Sequence, residues 1–111
     1  MFHVIPRAEQ DQFPNRTILF EGGQYGAPIS LFLVDNAPGE GPALHVHPYS
    51  ETWIVRSGQA QFTVGPETID ANPGDIIVVN PETPHRFVNT GPGRLELTCI
   101  HASDRVIQTW L

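Results

Sequence analysis

Histidine and carboxylate side chains that could bind a metal ion are concentrated in one short stretch of the chain, residues 45–51. In an extended strand the side chains of residues i and i+2 point to the same face, so His45 and His47 project together. A turn after them can bring Glu51 into the same space, and a third histidine, His85, follows further along the chain. Three imidazoles and one carboxylate form a suitable ligand set for a divalent transition metal.

Such a site leaves one or two coordination positions open, where a substrate oxygen or O₂ can bind and be polarised. The ligand types suit Fe, Mn, Ni, Co and Zn and do not choose among them. We predict one such ion per chain, held by His45, His47, Glu51 and His85. The only cysteine, Cys99, is predicted to be a small buried apolar group.

Two further side chains could take part in chemistry at this site. Tyr49 lies beside the ligands, where its hydroxyl can donate to a substrate oxygen; an exposed position in a loop is the alternative. His101 lies on a late strand and can act as a proton shuttle, since histidine titrates near neutral pH, or can be an exposed residue at a strand end. Together with Glu51, they are the candidate catalytic residues.

The composition excludes several other kinds of function. A length of 111 residues indicates one domain spanning residues 1–111. The net charge is −6 and the six basic residues are scattered arginines, so neither a nucleic acid nor an anionic membrane is an expected partner. The absence of lysine excludes a lysine Schiff base. Without a signal sequence or an apolar run of membrane length, we expect a cytoplasmic protein that acts on a small molecule.

Eleven prolines and ten glycines separate short apolar runs, a pattern typical of an all-β chain. Residues 1–16 are predicted to be irregular apart from a short strand near residues 2–5, and residues 105–111 to dock as either a strand or a short helix. About nine or ten short strands with regular turns imply a sandwich or a closed barrel. The predicted strands are residues 17–20, 29–34, 43–47, 51–56, 60–64, 67–70, 76–79, 85–88 and 95–101.

Several of these strands have a definite burial pattern. Strands 29–34 and 76–79 are apolar on both faces, and we predict that each is covered on two sides. If Glu51 faces inward, alternation gives the barrel an aromatic lining and an apolar outer face. The lining is then formed by Trp53, Phe62 and Phe87, and the outer face includes Leu44, Val46 and Ile54. Because an apolar outer face needs a cover, we predict a homodimer.

The spacing of these residues resembles that of the cupin family. In residues 39–58, a glycine, the two histidines, the glutamate and a second glycine match the first cupin motif at every position. Residues 74–89 resemble the second motif, with Gly74, His85 and Asn89 at the expected spacing. The one departure is at residues 80–82, where Glu82 stands in place of the usual glycine. The short gap between the motifs is similar to that of microbial single-domain cupins.

The resemblance implies a cupin fold, a jelly-roll-like β-barrel of two antiparallel sheets, and it implies the same four metal ligands. Cupins include dioxygenases, isomerases, decarboxylases, sensors and seed storage proteins, so the fold does not decide the function. Our first hypothesis is a mononuclear metal oxygenase or related oxidoreductase acting on a small, oxygen-bearing, partly aromatic substrate. The alternatives are a redox-neutral isomerase, cyclase or decarboxylase, in which Glu51 or His101 moves a proton, and a non-catalytic module that binds a small molecule.

Overall fold

In the computed structural model, which describes residues 1–111, the chain forms eleven β-strands and two 3₁₀ turns. The 3₁₀ turns are Arg7–Glu9 and Gly23–Tyr25. The strands are β1 (Asp11–Gln12), β2 (Ile18–Glu21), β3 (Ser30–Asn36), β4 (His45–Val46), β5 (Glu51–Ser57), β6 (Ala60–Val64), β7 (Glu67–Ala71), β8 (Ile76–Val79), β9 (His85–Asn89), β10 (Leu95–His101) and β11 (Thr109–Trp110). Neither 3₁₀ turn, and no other helix, has the length and apolar character that a membrane crossing requires.

The strands form two antiparallel sheets, which confirms the predicted fold class. One sheet has the order β1-β2-β3-β10-β5-β8 and the other has the order β11-β4-β9-β6-β7. The two sheets keep separate edges, so hydrogen bonds do not close them into one continuous barrel. Their inner faces bury one apolar core, made of Val34, Trp53, Val55, Ala60, Phe62, Ala71, Val79, Phe87, Leu95, Leu97 and Cys99. The core position of the three lining aromatics and of the cysteine agrees with the sequence-based prediction.

Strand register sets which polar side chains meet inside the fold. β10 lies between β3 and β5, and its last residue, His101, pairs with Ser30 on one side and Glu51 on the other. All three are buried. In the other sheet, the register pairs His85 with His45. Since side chains on paired residues share a face, each sheet collects its polar groups at one level of its inner surface.

The structure decides two local predictions near the chain ends. No strand forms at residues 2–5, and the chain there leads into the first 3₁₀ turn. Residues 105–111 contain β11, which pairs with β4, so the strand alternative is correct. The ligand strand predicted over residues 43–47 is reduced to β4, because the chain leaves the sheet for the turn that precedes β5.

The prediction that strands 29–34 and 76–79 are covered on both sides is wrong. Ile76 is 64% exposed and Val78 is 59% exposed, while Val79 is buried. β8 is the edge strand of its sheet, and nothing packs on its outer face. Leu33 on β3 is exposed on the same outer face. In this protein, a strand that is apolar on both faces is therefore buried only on the face that points into the fold.

The turn before β9 accommodates the departure from the cupin spacing at Glu82. This residue has φ of +63°, in the left-handed region where glycine is the usual occupant. Its backbone N–H donates to the His47 carbonyl at 2.9 Å, so the turn keeps its conformation without glycine. The left-handed conformation costs a residue with a Cβ atom about 1–2 kcal/mol.

We expect Glu82→Gly to raise the free energy of unfolding by up to about 1 kcal/mol, because it removes the strain of the left-handed conformation. Glu82→Val should lower it by about 1–2 kcal/mol, since a β-branched residue tolerates positive φ poorly. Urea denaturation of the two variants beside the parent measures the difference. A glycine variant that is less stable than the valine variant would contradict this account of the turn.

The outer face of the six-stranded sheet carries apolar and threonine side chains across its width. The register places Ile54 beside Ile76 on one side and beside Thr98 on the other, and Thr98 lies beside Leu33. The positions predicted to face outward, Leu44, Val46 and Ile54, are half-buried within the chain. The homodimer stays a prediction. We propose that its interface is the outer face of the six-stranded sheet.

We expect the protein to sediment as a dimer at micromolar concentration and Ile76→Glu to sediment as a monomer. A carboxylate buried without a partner in a sheet-to-sheet interface costs several kcal/mol. Thr68→Glu on exposed β7 of the other sheet is the matched control and should leave the dimer intact. A monomeric parent protein, or equal dissociation of the two variants, would remove this proposal.

Candidate metal centre

The structure brings together the four side chains predicted as metal ligands. One ligand atom from each of them lies within 4.8 Å of the others, and all four residues are buried. β4 supplies His45, the turn after it supplies His47, and β5 and β9 each begin with a ligand. The turn between β4 and β5 reverses the chain, which returns Glu51 to the space that the two histidines face. Separate elements from both sheets thus meet at one point.

Each of the three histidines is held by its Nδ1 atom. A carbonyl oxygen can only accept a hydrogen bond, so each Nδ1 carries a proton, and the neutral form of each ring has its lone pair on Nε2. Histidines that bind metals are commonly oriented through their other nitrogen in this way. The bonds are His45 Nδ1 to Ala43 O at 2.7 Å, His47 Nδ1 to Ile107 O at 2.7 Å and His85 Nδ1 to Thr83 O at 2.8 Å.

The atoms that converge are therefore all acceptors. His47 Nε2 lies 3.0 Å from Glu51 Oε1, and His85 Nε2 lies 3.1 Å from the same oxygen. His47 Nε2 is buried and has no hydrogen-bond partner, although the carboxylate is this close. Lone pairs facing one another in a buried space repel unless a cation lies between them. The donor set and this orphaned nitrogen fit one divalent transition metal ion.

Two of the four ligands, His45 and Glu51, are held in the protonation states that a metal requires. Burial lowers the pKa of His45 from 6.5 to about 4, against the opposing effect of its bond to Ala43 O, so the ring is neutral at pH 7. Burial alone would raise the pKa of Glu51, but its side-chain contacts, the one with His101 foremost, hold that pKa well below its usual range, so the carboxyl is ionised. Neutral imidazole and ionised carboxylate are the forms that coordinate metals.

Glu51 is fixed through its second carboxylate oxygen. Trp53 donates its indole N–H to Glu51 Oε2 at 2.6 Å. Both side chains lie on β5 two residues apart, so the bond follows directly from strand alternation. Sequence analysis assigned Trp53 only to the lining. The available signal was that a buried indole N–H needs a partner, and this carboxylate shares its face.

Tyr49 and His101 both lie at the site, and neither takes its exposed alternative. Tyr49 Oη is 2.6 Å from His101 Nδ1, and it accepts a hydrogen bond from the Ile107 N–H at 3.1 Å. Burial raises the pKa of Tyr49, so its hydroxyl keeps its proton and donates to His101 Nδ1. The His101 proton is then on Nε2, which lies 3.4 Å from Glu51 Oε2. Both residues thus attach to the carboxylate from outside the ligand cluster.

Ile107 is the part of the site that sequence analysis missed. Its carbonyl accepts from His47 Nδ1, and its N–H donates to Tyr49. Both contacts use backbone atoms, so the identity of residue 107 carried no signal. The C-terminal segment was predicted to dock at an unspecified place, and the structure docks it on the ligands.

A cavity of about 470 Å³ opens beside the ligand cluster. His45, Glu51 and His101 form part of its wall, next to apolar residues that include Phe32 and Phe87. A small molecule in this cavity would therefore touch the proposed metal site and the His101 ring together.

Comparison with known proteins identifies the family and the fold. A family model described as a cupin domain matches residues 32–101. Similar solved structures include the SENS161-164DSSN mutant of Bacillus subtilis oxalate decarboxylase OxdC, with a TM-score of 0.82 and 24% identity over 94% of this chain and 30% of that chain. No curated protein sequence matches.

Two further structures extend the comparison. The Lactobacillus farciminis oxalate decarboxylase in its formate complex has a TM-score of 0.77 and 22% identity, over 92% of this chain and 33% of that one. Peruvianin-I, described as a cysteine peptidase from Thevetia peruviana latex, has a TM-score of 0.77 and 16% identity, over 92% of this chain and 71% of that one. The chain spans about 30% of the decarboxylase that it matches. Identities this low show a shared fold alone.

We expect the purified chain to bind one Zn(II) or Mn(II) ion and to unfold at a higher temperature when loaded. A free metal concentration of about 1,000 times Kd stabilises the folded state by about 4 kcal/mol. His47→Ala should weaken metal binding by at least about 100-fold, since it removes the orphaned nitrogen. His3→Ala, which changes a histidine packed against Tyr25, is the control. Calorimetric titration that gives equal affinities for both variants would contradict the assigned site.

Proposed function

We propose that this chain, which belongs to the cupin family, is an enzyme that holds one divalent transition metal ion and acts on a small oxygen-bearing substrate in the adjoining cavity. The observation that supports it most directly is the buried cluster of four acceptors, two of which, His45 and Glu51, lie in the wall of an open cavity. A metal ion bound there polarises a substrate oxygen at an open coordination position. His45, His47, Glu51 and His85 would hold the ion.

The favoured reaction class is redox-neutral proton transfer, such as isomerisation or decarboxylation. His101 lies in the cavity wall and receives a hydrogen bond from Tyr49 on its far nitrogen. A protonated imidazole can release a proton from Nε2 to a substrate carbon and return to the neutral ring, so His101 can act as the general acid while Tyr49 holds its Nδ1 side in place. Glu51 orients the Nε2–H group. The fold shared with two oxalate decarboxylases is compatible with this class.

A mononuclear metal oxygenase is the second candidate. The apolar part of the cavity wall, including Phe32 and Phe87, lies next to the ligands and suits both O₂ and an apolar substrate. The third hypothesis, a non-catalytic module, uses the same cavity for binding alone and gives Tyr49 and His101 no chemical task. The three hypotheses predict different results for the exchange of substrate hydrogen with solvent and for the consumption of dissolved oxygen.

The test uses 2-hydroxyacetophenone, an uncharged aromatic α-hydroxyketone, in D₂O under nitrogen. We expect Mn(II)-loaded protein to replace the hydrogens of its hydroxymethyl carbon by deuterium, measured by proton NMR, and metal-free protein not to do so. His101→Gln should slow exchange by about 100- to 1,000-fold, because positioned acid–base groups contribute factors of this size. Tyr49→Phe should slow it by about 10-fold or more with the metal content unchanged.

Tyr25→Phe is the matched control, because Tyr25 stacks on Phe20 away from the ligands. Oxygen consumption in air without exchange under nitrogen would overturn the redox-neutral proposal in favour of an oxygenase. A probe that raises the melting temperature and is recovered unchanged in air and under nitrogen would favour the binding module.

A further inference from the structure

The cavity beside the ligand cluster has several aromatic rings in its wall. Five of its lining residues are aromatic: Phe13, Phe32, Trp53, Phe87 and Trp110. Phe13 stacks on Phe32 with centroids 6.2 Å apart and planes 16° apart, and Trp110 packs against His45 at 5.2 Å. Phe13 is 44% exposed and Trp110 is 57% exposed, so these two rings lie where the cavity meets solvent. Rings in this arrangement offer both faces and edges to another ring.

The same wall carries no permanently cationic side chain. It contains two carboxylates, Glu40 and Glu51, and neither arginine nor lysine. Arg94 reaches the neighbourhood only by donating to the Asn15 carbonyl, and its guanidinium is paired with Asp35. A substrate carboxylate away from the ligand cluster would therefore be buried without a countercharge, at a cost of several kcal/mol.

Uncharged hydrogen-bonding groups lie in the wall instead. Asn15 donates to the Asn36 Oδ1 atom at 3.1 Å, and the hydroxyl of Thr17 accepts from the Asp35 N–H at 3.3 Å, which leaves its own proton free to donate. Gln108 adds another amide. Amides and hydroxyls recognise neutral oxygen and nitrogen atoms, which fits a substrate with an uncharged polar substituent.

The outer wall is built by chain segments that the family model does not match. That match covers residues 32–101, whereas Phe13, Asn15 and Thr17 precede it and Gln108 and Trp110 follow it. β1 and β2 hold the first segment against β3, and β11 holds the second against β4. The residues that select a ligand thus come from parts of this chain that its family membership does not specify.

We propose that the cavity takes an uncharged aromatic molecule, and that residues 13–17 and 108–110 select it by ring packing and neutral hydrogen bonds. This inference rests on the proposed function for its catalytic meaning and names the substrate class of that site. The part of the molecule that lies away from the ligand cluster is uncharged, and a negative charge is tolerated only on an atom that reaches the ligand cluster. An extended dicarboxylate, which would place one charge away from the ligand cluster, is disfavoured as a substrate.

The test is calorimetric titration of Zn(II)-loaded protein with three probes. Benzamide is aromatic and uncharged, cyclohexanecarboxamide is its saturated match, and isophthalate is aromatic with two carboxylates. We expect benzamide to bind at least about 10-fold more tightly than either of the others, since ring packing and charge each contribute. Isophthalate or the saturated amide binding as tightly as benzamide would overturn the proposal.

Two variants locate the selecting segments. Phe13→Leu keeps an apolar side chain and removes the ring, and it should weaken benzamide binding by about 3- to 10-fold. Trp110→Leu should do the same from the other segment. Phe2→Leu, at an exposed ring outside the cavity wall, is the matched control and should have no effect. If both cavity variants bind benzamide with unchanged affinity, residues 13–17 and 108–110 are not the segments that select the ligand.

The same titration of metal-free protein separates this proposal from the proposed function. If the protein fails to bind Zn(II) but still binds benzamide more tightly than both other probes, the metal site is refuted and the aromatic cavity is supported. Zn(II) binding without a preference for benzamide would refute the aromatic cavity and leave the metal site standing.

Discussion

The convergence of four buried acceptor atoms is the constraint on which this structure depends. In a folded chain without a cation, one carboxylate and three imidazole lone pairs would face one another with little to offset their repulsion. The Nδ1 bonds to backbone carbonyls remove the simplest escape, which is rotation of a ring to place an N–H toward the carboxylate. A bound divalent ion relieves this conflict at all four atoms, so the energy of metal binding is coupled to the stability of the fold.

Strand register is what makes the convergence reproducible. A shift of one residue between β10 and β5 would turn His101 away from Glu51. It would also move the buried apolar side chains of the shifted strand to the solvent face. The buried Trp53 side chain, which lies on the same face of β5 as Glu51, opposes such a shift because it would lose its packing against Phe62 and Phe87 of the other sheet. Apolar packing and the polar site therefore select the same register, and neither has to be satisfied at the expense of the other.

Much of the fold and the ligand set could be predicted from the sequence because both depend on short-range rules. His45 and His47 follow the period of two of a strand, and the spacing to Glu51 and His85 resembled a known pair of motifs. What remained out of reach depended on where a strand lies in its sheet or on backbone atoms. The exposed outer face of β8 follows from its edge position, which periodicity does not record. The contacts of Ile107 use its amide and carbonyl, so no choice of side chain could reveal them.

The C-terminal segment connects the ligand cluster to the mouth of the cavity. Within four residues it orients a ligand through the Ile107 carbonyl, holds Tyr49 through the Ile107 N–H, and places Trp110 against His45. β11 is only two residues long, and such a short edge strand has little stability of its own. Its docking must therefore draw on the contacts that it makes with the ligand histidines. Ligand geometry and cavity mouth are in this way parts of one arrangement, since Ile107 and Trp110 belong to the same docked segment.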